Sequence, residues 1–327
     1  MRAFAVRSFG EAPAIHDLPV PAADGAFLLR VAYAGVNPLD NNNLARLTAN
    51  STYPYVLGID FAGVVERVPA GGNAAAGNEA GGNEAGGNEL RVGDRVFGMA
   101  RTHGAFAEYT AVTPGAKAES LALIPDGVTD EQAAALPTAA VTALRTVELL
   151  GVTAGQHLVV MGATGGVGGY AVQMALSRGA HVIATVRGDA DEARRLGADE
   201  VYDSQVVDVA SALRAAHPGG VDAVLDLVSS RDAIRGDAEF IKPGGCLVST
   251  IFAADEGWFA GRQITAHNSA SSANPLLSPR GLTEVARMLA DGTIAARIRA
   301  TVELDSVGQI LDKLRHGGLR GKAVIRL

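Results

Sequence analysis

Short apolar runs set off by turn residues dominate the first third of the chain: FLLRVAYAGV from Phe27, DFAGVVERV from Asp60, DRVFGM from Asp94 and GAFAEYTAV from Gly104. Their length and their β-branched and aromatic content predict strands of a β-barrel or twisted sheet. At ALPTAAVTALRTVELL the period changes: apolar positions recur at helical spacing, and Gly151 follows as a helix C-terminal cap. Beyond it strands and helices alternate. HLVVM from His157 leads into the helix VGGYAVQMALSRG, HVIATV from His181 into a helix around ADEARRLGA, and DAVLDLV from Asp222 into a helix between Ser230 and Phe240; GGCLVSTIF starts at Gly244. Short, wholly apolar strands separated by helices indicate a parallel sheet covered on both faces. The tail returns to a mixed pattern, with helix LTEVARMLADG, strand RATVEL, helix VGQILDKLRHGG and a last strand KAVIRL.

Composition narrows this picture. The 327 residues are enough for about two domains. A chain 48% hydrophobic and 19% charged can bury sizeable cores, which excludes wholesale disorder. The balance of 28 Lys+Arg against 35 Asp+Glu, net −7 with no basic run, argues against a nucleic-acid partner. One cysteine, Cys246, allows no internal disulfide and no thiolate zinc site; it reads as a small buried hydrophobe in a reducing compartment. The start MRAFAVRSFG lacks a signal-peptide core, and no apolar run reaches about 18 residues, so the expectation is a soluble, cytoplasmic protein without a membrane partner. From Ala70 to Glu89 four five-residue units, AGGNA, AAGNE, AGGNE and AGGNE, carry no side chain that could build a core and predict a solvated loop.

The sharpest motif is GATGGVGG, Gly162 to Gly169, which follows a strand and opens a helix. A diphosphate needs backbone that turns tightly, approaches closely and ends on a helix N-terminus, where free N–H groups and the positive dipole end meet. Ala163, Gly165 and Gly168 fall in the three small-residue places, with Thr164, Gly166 and Val167 between them. At the end of the second strand, where a carboxylate would hold the ribose of NAD and repel the extra phosphate of NADP, the residues are Ala184, Thr185, Val186 and Arg187. An acid-free strand end followed by an Arg favours NADPH.

These stretches, together with AGVNPLD (Ala34 to Asp40), LGIDFAGVVERV (Leu57 to Val68), VGDRVFGM (Val92 to Met99), LPTAAVTAL (Leu136 to Leu144), LGAD (Leu196 to Asp199) and RGKAVIRL (Arg320 to Leu327), carry a resemblance over nearly the whole chain. The sequence resembles the zinc-independent medium-chain dehydrogenase/reductases of the quinone oxidoreductase and enoyl reductase type. That resemblance implies an α/β protein: a GroES-like β-barrel catalytic domain, residues 1–122 and 268–327, with a doubly wound Rossmann domain, residues 123–267, inserted and the active site in the cleft between them. It also implies a homodimer, paired through the strand near Arg262 to His267.

Zinc-using alcohol dehydrogenases of the same superfamily hold the metal with Cys, His and Cys. Those places fall at or near Asn37, Ile59 and Pro137, none of them a good ligand for Zn²⁺. Where some enone reductases carry an aromatic residue or Lys, this chain has Asn41, Asn42 and Asn43. The resemblance places Asn37 near the nicotinamide, Thr138 beside its carboxamide, Phe252 on a loop passing the ring, and Arg320 and Lys322 on a C-terminal segment that contacts the cofactor. Asp40 and Tyr53 complete the candidate catalytic set, as a water- or side-chain-orienting carboxylate and a phenolic donor. The reaction expected is hydride transfer from NADPH to a quinone or an α,β-unsaturated carbonyl, with Asn37 steadying the oxyanion. A reductase of carrier-bound acyl chains and an NADPH-binding scaffold or sensor are the alternatives.

Overall fold

The computed structural model describes residues 1–69, 90–113, 119–269 and 275–327. The Ala70 to Glu89 tract therefore lies outside the described residues. The chain divides into two compact units: residues 1–141, 275–292 and 296–327 form the first, and residues 142–274 and 293–295 the second. Residues 123–141, expected with the nucleotide domain, belong to the first unit by their contacts.

In the first unit the elements run β1 (Arg2–Val6), β2 (Ala14–Asp17), β3 (Phe27–Val36), α1 (Pro38–Ala45), β4 (Tyr55–Val56), β5 (Asp60–Arg67), β6 (Arg95–Met99), β7 (Tyr109–Val112), β8 (Ser120–Leu123), α2 (Asp130–Ala134) and the start of α3 (Pro137–Leu150). After the second unit the chain returns as α9 (Pro279–Ala290), β15 (Ile298–Glu303), α10 (Val307–Arg315) and β16 (Lys322–Arg326). One sheet has the order β15-β16-β3-β5-β6-β8, with β7 also on β3, and a smaller one the order β2-β1-β4. The ten-residue β3 organises the larger sheet. Its first half pairs with β7, Phe27 opposite Val112, while its last residues pair with β16, Val36 opposite Ala323. The C-terminal strand is thus drawn against the start of α1. Phe27, Phe61, Phe97 and Phe106 are fully buried in this unit's core, each contributing about 1.5–3 kcal/mol of transfer free energy. GAFAEYTAV is a strand only from Tyr109 to Val112; before that, Ala105 and Phe106 donate to Leu57 O, which bends the segment along β4.

The second unit is the expected parallel sheet. Its elements are β9 (His157–Met161), α4 (Gly166–Ser177), β10 (His181–Val186), α5 (Ala190–Arg195), β11 (Glu200–Asp203), α6 (Val209–Ala216), β12 (Val221–Asp226), α7 (Ile234–Asp237), β13 (Ile241–Ser249), α8 (Glu256–Ala260) and β14 (Thr265–Asn268). The order β11-β10-β9-β12-β13-β14, all pairs parallel, is a doubly wound sheet whose strand order reverses beside β9. Val159, Ile183, Val224 and Leu247 from its central strands are fully buried, which explains why those strands read as continuous apolar runs. Among the described residues no helix is long and apolar enough to cross a membrane.

Candidate functional site

At the switch point of the parallel sheet, β9 passes into α4 through residues 162–165. Gly162 has φ +84°, a conformation that disfavours any side chain. Its N–H and that of Ala163 both donate to Thr185 O on β10 at 3.1 Å, and Gly165 N–H donates to Gly162 O at 3.0 Å. A Cβ on Gly168 would lie 2.3 Å from Gly162 O and 2.9 Å from Ala163 Cα. The first turn of α4 therefore rests directly on the preceding turn, and its leading N–H groups, which lack intrahelical acceptors, form an anion cradle. The geometry corrects one sequence assignment: Gly162, rather than Ala163, makes the tight turn. Ala163 and Gly168 are buried, whereas Thr164, Gly165, Gly166 and Val167 are partly exposed.

Beyond β10, Thr185 is buried and Arg187 exposed. Arg194 and Arg195 are gripped by Asp191 and Glu192 of their own helix, α5, so among the described residues Arg187 is the cation of this stretch without an ion pair. Asp203, at the end of β11, accepts from Gly188 N–H at 2.9 Å. At the carboxyl ends of β12 and β13, Val228, Ile251 and Phe252 are exposed, Phe252 with φ +59°. Asp226 sets that edge, accepting from Val228 N–H, Ser229 N–H and the Ser249 hydroxyl. Exposed apolar side chains on the edge where open α/β sheets receive ligands suit a flat ring.

The first unit holds a second polar centre, built from side chains. Asp60, at the start of β5, is fully buried. Its Oδ1 accepts from the Thr138 hydroxyl at 2.6 Å, and its Oδ2 accepts from Thr138 N–H at 3.0 Å and Asn37 Nδ2 at 2.9 Å. Lys322 Nζ stands 3.9 Å from the same Oδ2 and donates to Asn37 Oδ1 at 2.7 Å and Val36 O at 3.0 Å. Asp40 caps α1 by accepting from Asn37 N–H at 2.7 Å, and its other oxygen, Oδ1, is buried without a hydrogen-bond partner among the described residues. Burial drives every one of these groups toward neutrality. It pushes Asp40 up to about 8, against the Asn37 N–H and Lys322, with Asp60 adding to the rise. It raises Asp60 against Lys322, Thr138 and Asn37, and lowers Lys322 against Asp60 and Asp40. Every close neighbour of Asp60 is a donor, an arrangement that suits its carboxylate form.

The expected residues divide accordingly. Asn37, Asp40, Thr138 and Lys322 come together here, but not in the roles foreseen. Both ends of the Asn37 amide are turned inward, to Lys322 and to Asp60, so it braces the cluster instead of presenting a donor to an oxyanion. Lys322, expected on the cofactor, is buried inside the cluster, because the β3–β16 register that sets Ala323 opposite Val36 brings it to Asn37. Tyr53 stands apart: its hydroxyl donates to Thr48 O at 2.9 Å. Arg320 is exposed. Sequence reasoning missed Asp60, although an acid opening an otherwise apolar strand was the available signal. It also missed Tyr55, whose hydroxyl is raised by burial and by Asp40 and lowered by Asn43 and Arg101.

Comparison with known proteins fits both centres. Residues 23–126 match the alcohol dehydrogenase GroES-like domain, and residues 166–290 match the domain described as zinc-binding dehydrogenase. The chain is 29% identical over 259 residues to a quinone oxidoreductase of Pongo abelii, covering 76% of this chain and 72% of that one. It is 38% identical over 184 residues to a mycocerosic acid synthase-like polyketide synthase of Mycobacterium tuberculosis, covering 55% of this chain but only 8% of that much longer protein. The structure of the quinone oxidoreductase from Coxiella burnetii superposes with TM-score 0.83 at 25% identity, covering 100% of this chain and 99% of that one.

The zinc in that domain description can be tested on the donors present. Asn37 has its amide oxygen on an ammonium, Ile59 is apolar and buried, and Pro137 offers no side-chain ligand. Among the described residues no three His, Cys, Asp or Glu side chains are grouped to hold a metal. This donor set does not fit Zn²⁺. The dinucleotide turn, by contrast, fits a nicotinamide dinucleotide, since Gly168 leaves the room that a phosphate-approaching helix needs. A GroES-like match on one side, a dehydrogenase nucleotide-domain match on the other and a full-length likeness to a quinone oxidoreductase make this chain a member of the medium-chain dehydrogenase/reductase family of oxidoreductases, of the quinone oxidoreductase and enoyl reductase type.

Proposed function

We propose that this chain is an NADPH-dependent, zinc-independent reductase of quinones or of α,β-unsaturated carbonyl compounds. The observation that carries the reading is the buried centre of the first unit, where an ammonium, an amide and two carboxyl groups fill the neighbourhood in which alcohol-oxidising relatives need metal ligands. Without a Lewis acid to polarise an alcohol, the chemistry suited to the chain is reduction of an acceptor that is already electrophilic.

When bound, the nicotinamide supplies the hydride. The Gly162–Gly168 turn and the N-terminus of α4 hold the diphosphate, and Arg187 takes the 2′-phosphate that distinguishes NADPH. Val228, Ile251 and Phe252 offer the apolar side of the ring site. Hydride addition builds negative charge on the acceptor's oxygen. Asp40, protonated at pH 7 because its carboxyl sits at about 8, keeps one oxygen without a hydrogen-bond partner among the described residues and can hold a proton within the first unit. Lys322, Asp60, Asn37 and Thr138 fix the position of Asp40, since Asn37 ties the loop before α1 to both charges.

A second reading, reduction of enoyl chains held on a carrier protein, is favoured by the similarity to the polyketide synthase. Self-association as a homodimer through the exposed edge strand β14, in the cytoplasm, belongs to the same proposal; sedimentation finding monomers at micromolar concentration would refute the dimer. The functional test is NADPH oxidation with a panel of quinones, free enones and enoyl thioesters, with and without chelator. Turnover of quinones or free enones, insensitive to chelator, is the expected result. Activity confined to carrier-held thioesters would transfer the assignment to the second reading, and activity lost with zinc would overturn both.

A further inference from the structure

One half-buried cation of the first unit has no assigned task. Arg101 lies in the turn that follows β6, and its Nε and Nη2 are both buried without a hydrogen-bond partner among the described residues. Two unmade guanidinium hydrogen bonds out of contact with water are a large unfavourable term for any fold to keep. The two nitrogens lie on the same edge of the guanidinium, where parallel N–H groups match the two oxygens of a carboxylate. The chain turns that edge to carboxylates elsewhere. Arg287 places Nε and Nη2 on the two oxygens of Glu284, whereas Arg95 and Arg195 each place both on a single oxygen, of Asp130 and of Glu192. Among the described residues the same edge of Arg101 has no carboxylate bonded to it.

The carboxylates that act on Arg101 through space are committed elsewhere. Glu119, buried, accepts from Thr102 N–H at 2.7 Å on one oxygen and from Thr113 N–H at 2.9 Å on the other. Asp60 is saturated by Thr138, Asn37 and Lys322. Burial lowers the Arg101 guanidinium from its ordinary value while Asp60, Glu119 and Tyr55 oppose the fall. Tyr55 in turn responds to both Arg101 and Asp40, which puts the free edge in the electrostatic neighbourhood of the proposed proton-holding carboxyl.

We propose that Arg101 is a carboxylate-receiving group of the first unit, so that the preferred acceptor is an unsaturated carbonyl compound that itself bears a carboxylate. The inference rests on the reductase reading and narrows its substrate class. A planar anion seated on Nε and Nη2 meets both orphan donors and opposes the guanidinium charge; the carbonyl oxygen of a neutral enone or quinone can meet the same N–H groups but brings no charge.

The test compares a 4-oxo-2-enoic acid with its methyl ester, using NADPH and the full chain. The ester is the more electrophilic of the two, so preference for the acid cannot arise from intrinsic reactivity. The expected kcat/KM for the acid exceeds that for the ester by about tenfold or more. In Arg101→Gln the ratio collapses to near one, mainly through a higher KM for the acid. Arg101→Lys, which keeps the charge and loses the parallel pair, falls between. A ratio near one in the unmodified protein, or a loss in Arg101→Gln that is equal for acid and ester, would overturn the proposal; the second result would assign the guanidinium to the developing oxyanion. Thermal stabilisation by the saturated acid, 4-oxoalkanoate, in the absence of cofactor reads the same site without turnover. It is expected in the unmodified protein and lost in Arg101→Gln. If neither acceptor consumes NADPH, the reductase reading fails, while the stabilisation measurement still decides the carboxylate site: its absence would remove it.

Discussion

The dinucleotide turn and the buried centre of the first unit solve the problem of holding charge in opposite ways. At the turn, the groups that matter are backbone N–H groups, placed by Gly162, Gly165 and Gly168, and the side chains are absent by necessity. In the other centre the backbone is ordinary strand and helix start, and the groups that matter are side chains from four separate elements, α1, β5, α3 and β16, with Asn37 just before α1. The first kind of site is sensitive to added atoms. The second is sensitive to removed charge.

Removing charge should have the largest effect. Lys322→Met leaves Asp60 buried with its ammonium gone, and breaking a buried pair in this way costs about 3–5 kcal/mol. Denaturant unfolding should show that loss, and adding Asp60→Asn to Lys322→Met should recover part of it; a loss under about 1 kcal/mol would mean that Asp60 is already neutral. Next comes the pH dependence of Asp40. Its folded-state carboxyl is raised from 3.8 to about 8, so the folded protein holds the proton more tightly than the unfolded chain. Stability is full at low pH and falls as pH rises through that interval, by up to about 1.4 kcal/mol per pH unit. Asp40→Asn should flatten this decline and be the more stable protein near pH 9; parallel pH curves for the two would refute the assignment.

Adding atoms tests the other region. Gly168→Ala places a Cβ against Gly162 O and should lower NADPH affinity about 100-fold in a fluorescence titration while the first unit keeps its fold. Unchanged affinity would mean that the turn does not carry the diphosphate. Arg187→Ala should weaken NADPH about 10- to 150-fold and NADH hardly at all, the range expected for one charge-assisted contact of about 1.5–3 kcal/mol. Equal weakening of both cofactors would place Arg187 elsewhere. The smallest effect is expected from Tyr53→Phe, under about tenfold in kcat, because that hydroxyl bonds Thr48 O outside the cluster.

What could be read in advance follows the same division. A strand, a glycine turn and a helix are contiguous in sequence, so the turn was visible from residues 157–186, and the error was one residue: the positive φ falls on Gly162, which a three-place motif counted from Ala163 passes over. The buried centre joins residues as far apart as Asn37 and Lys322. Their meeting depends on the register of β3 with β16, which no local pattern encodes. Tyr53 and Tyr55 show the limit at close range. Two residues apart, they differ because Tyr55 lies in β4, paired opposite Val6, and Tyr53 in the preceding turn. The inward turn of the Asn37 amide was invisible for the same reason, since its partners Asp60 and Lys322 arrive from distant strands.

The central claim, that hydride passes from NADPH to an activated acceptor carbon with no metal taking part, is tested most directly by isotope transfer. Protein kept in chelator is given NADPH deuterated at the transferable C4 position together with an enone. The account predicts one deuterium on the β-carbon of the saturated product, with the α-hydrogen drawn from solvent. No NADPH consumption by any enone or quinone, or deuterium transfer that disappears with the metal, would contradict it.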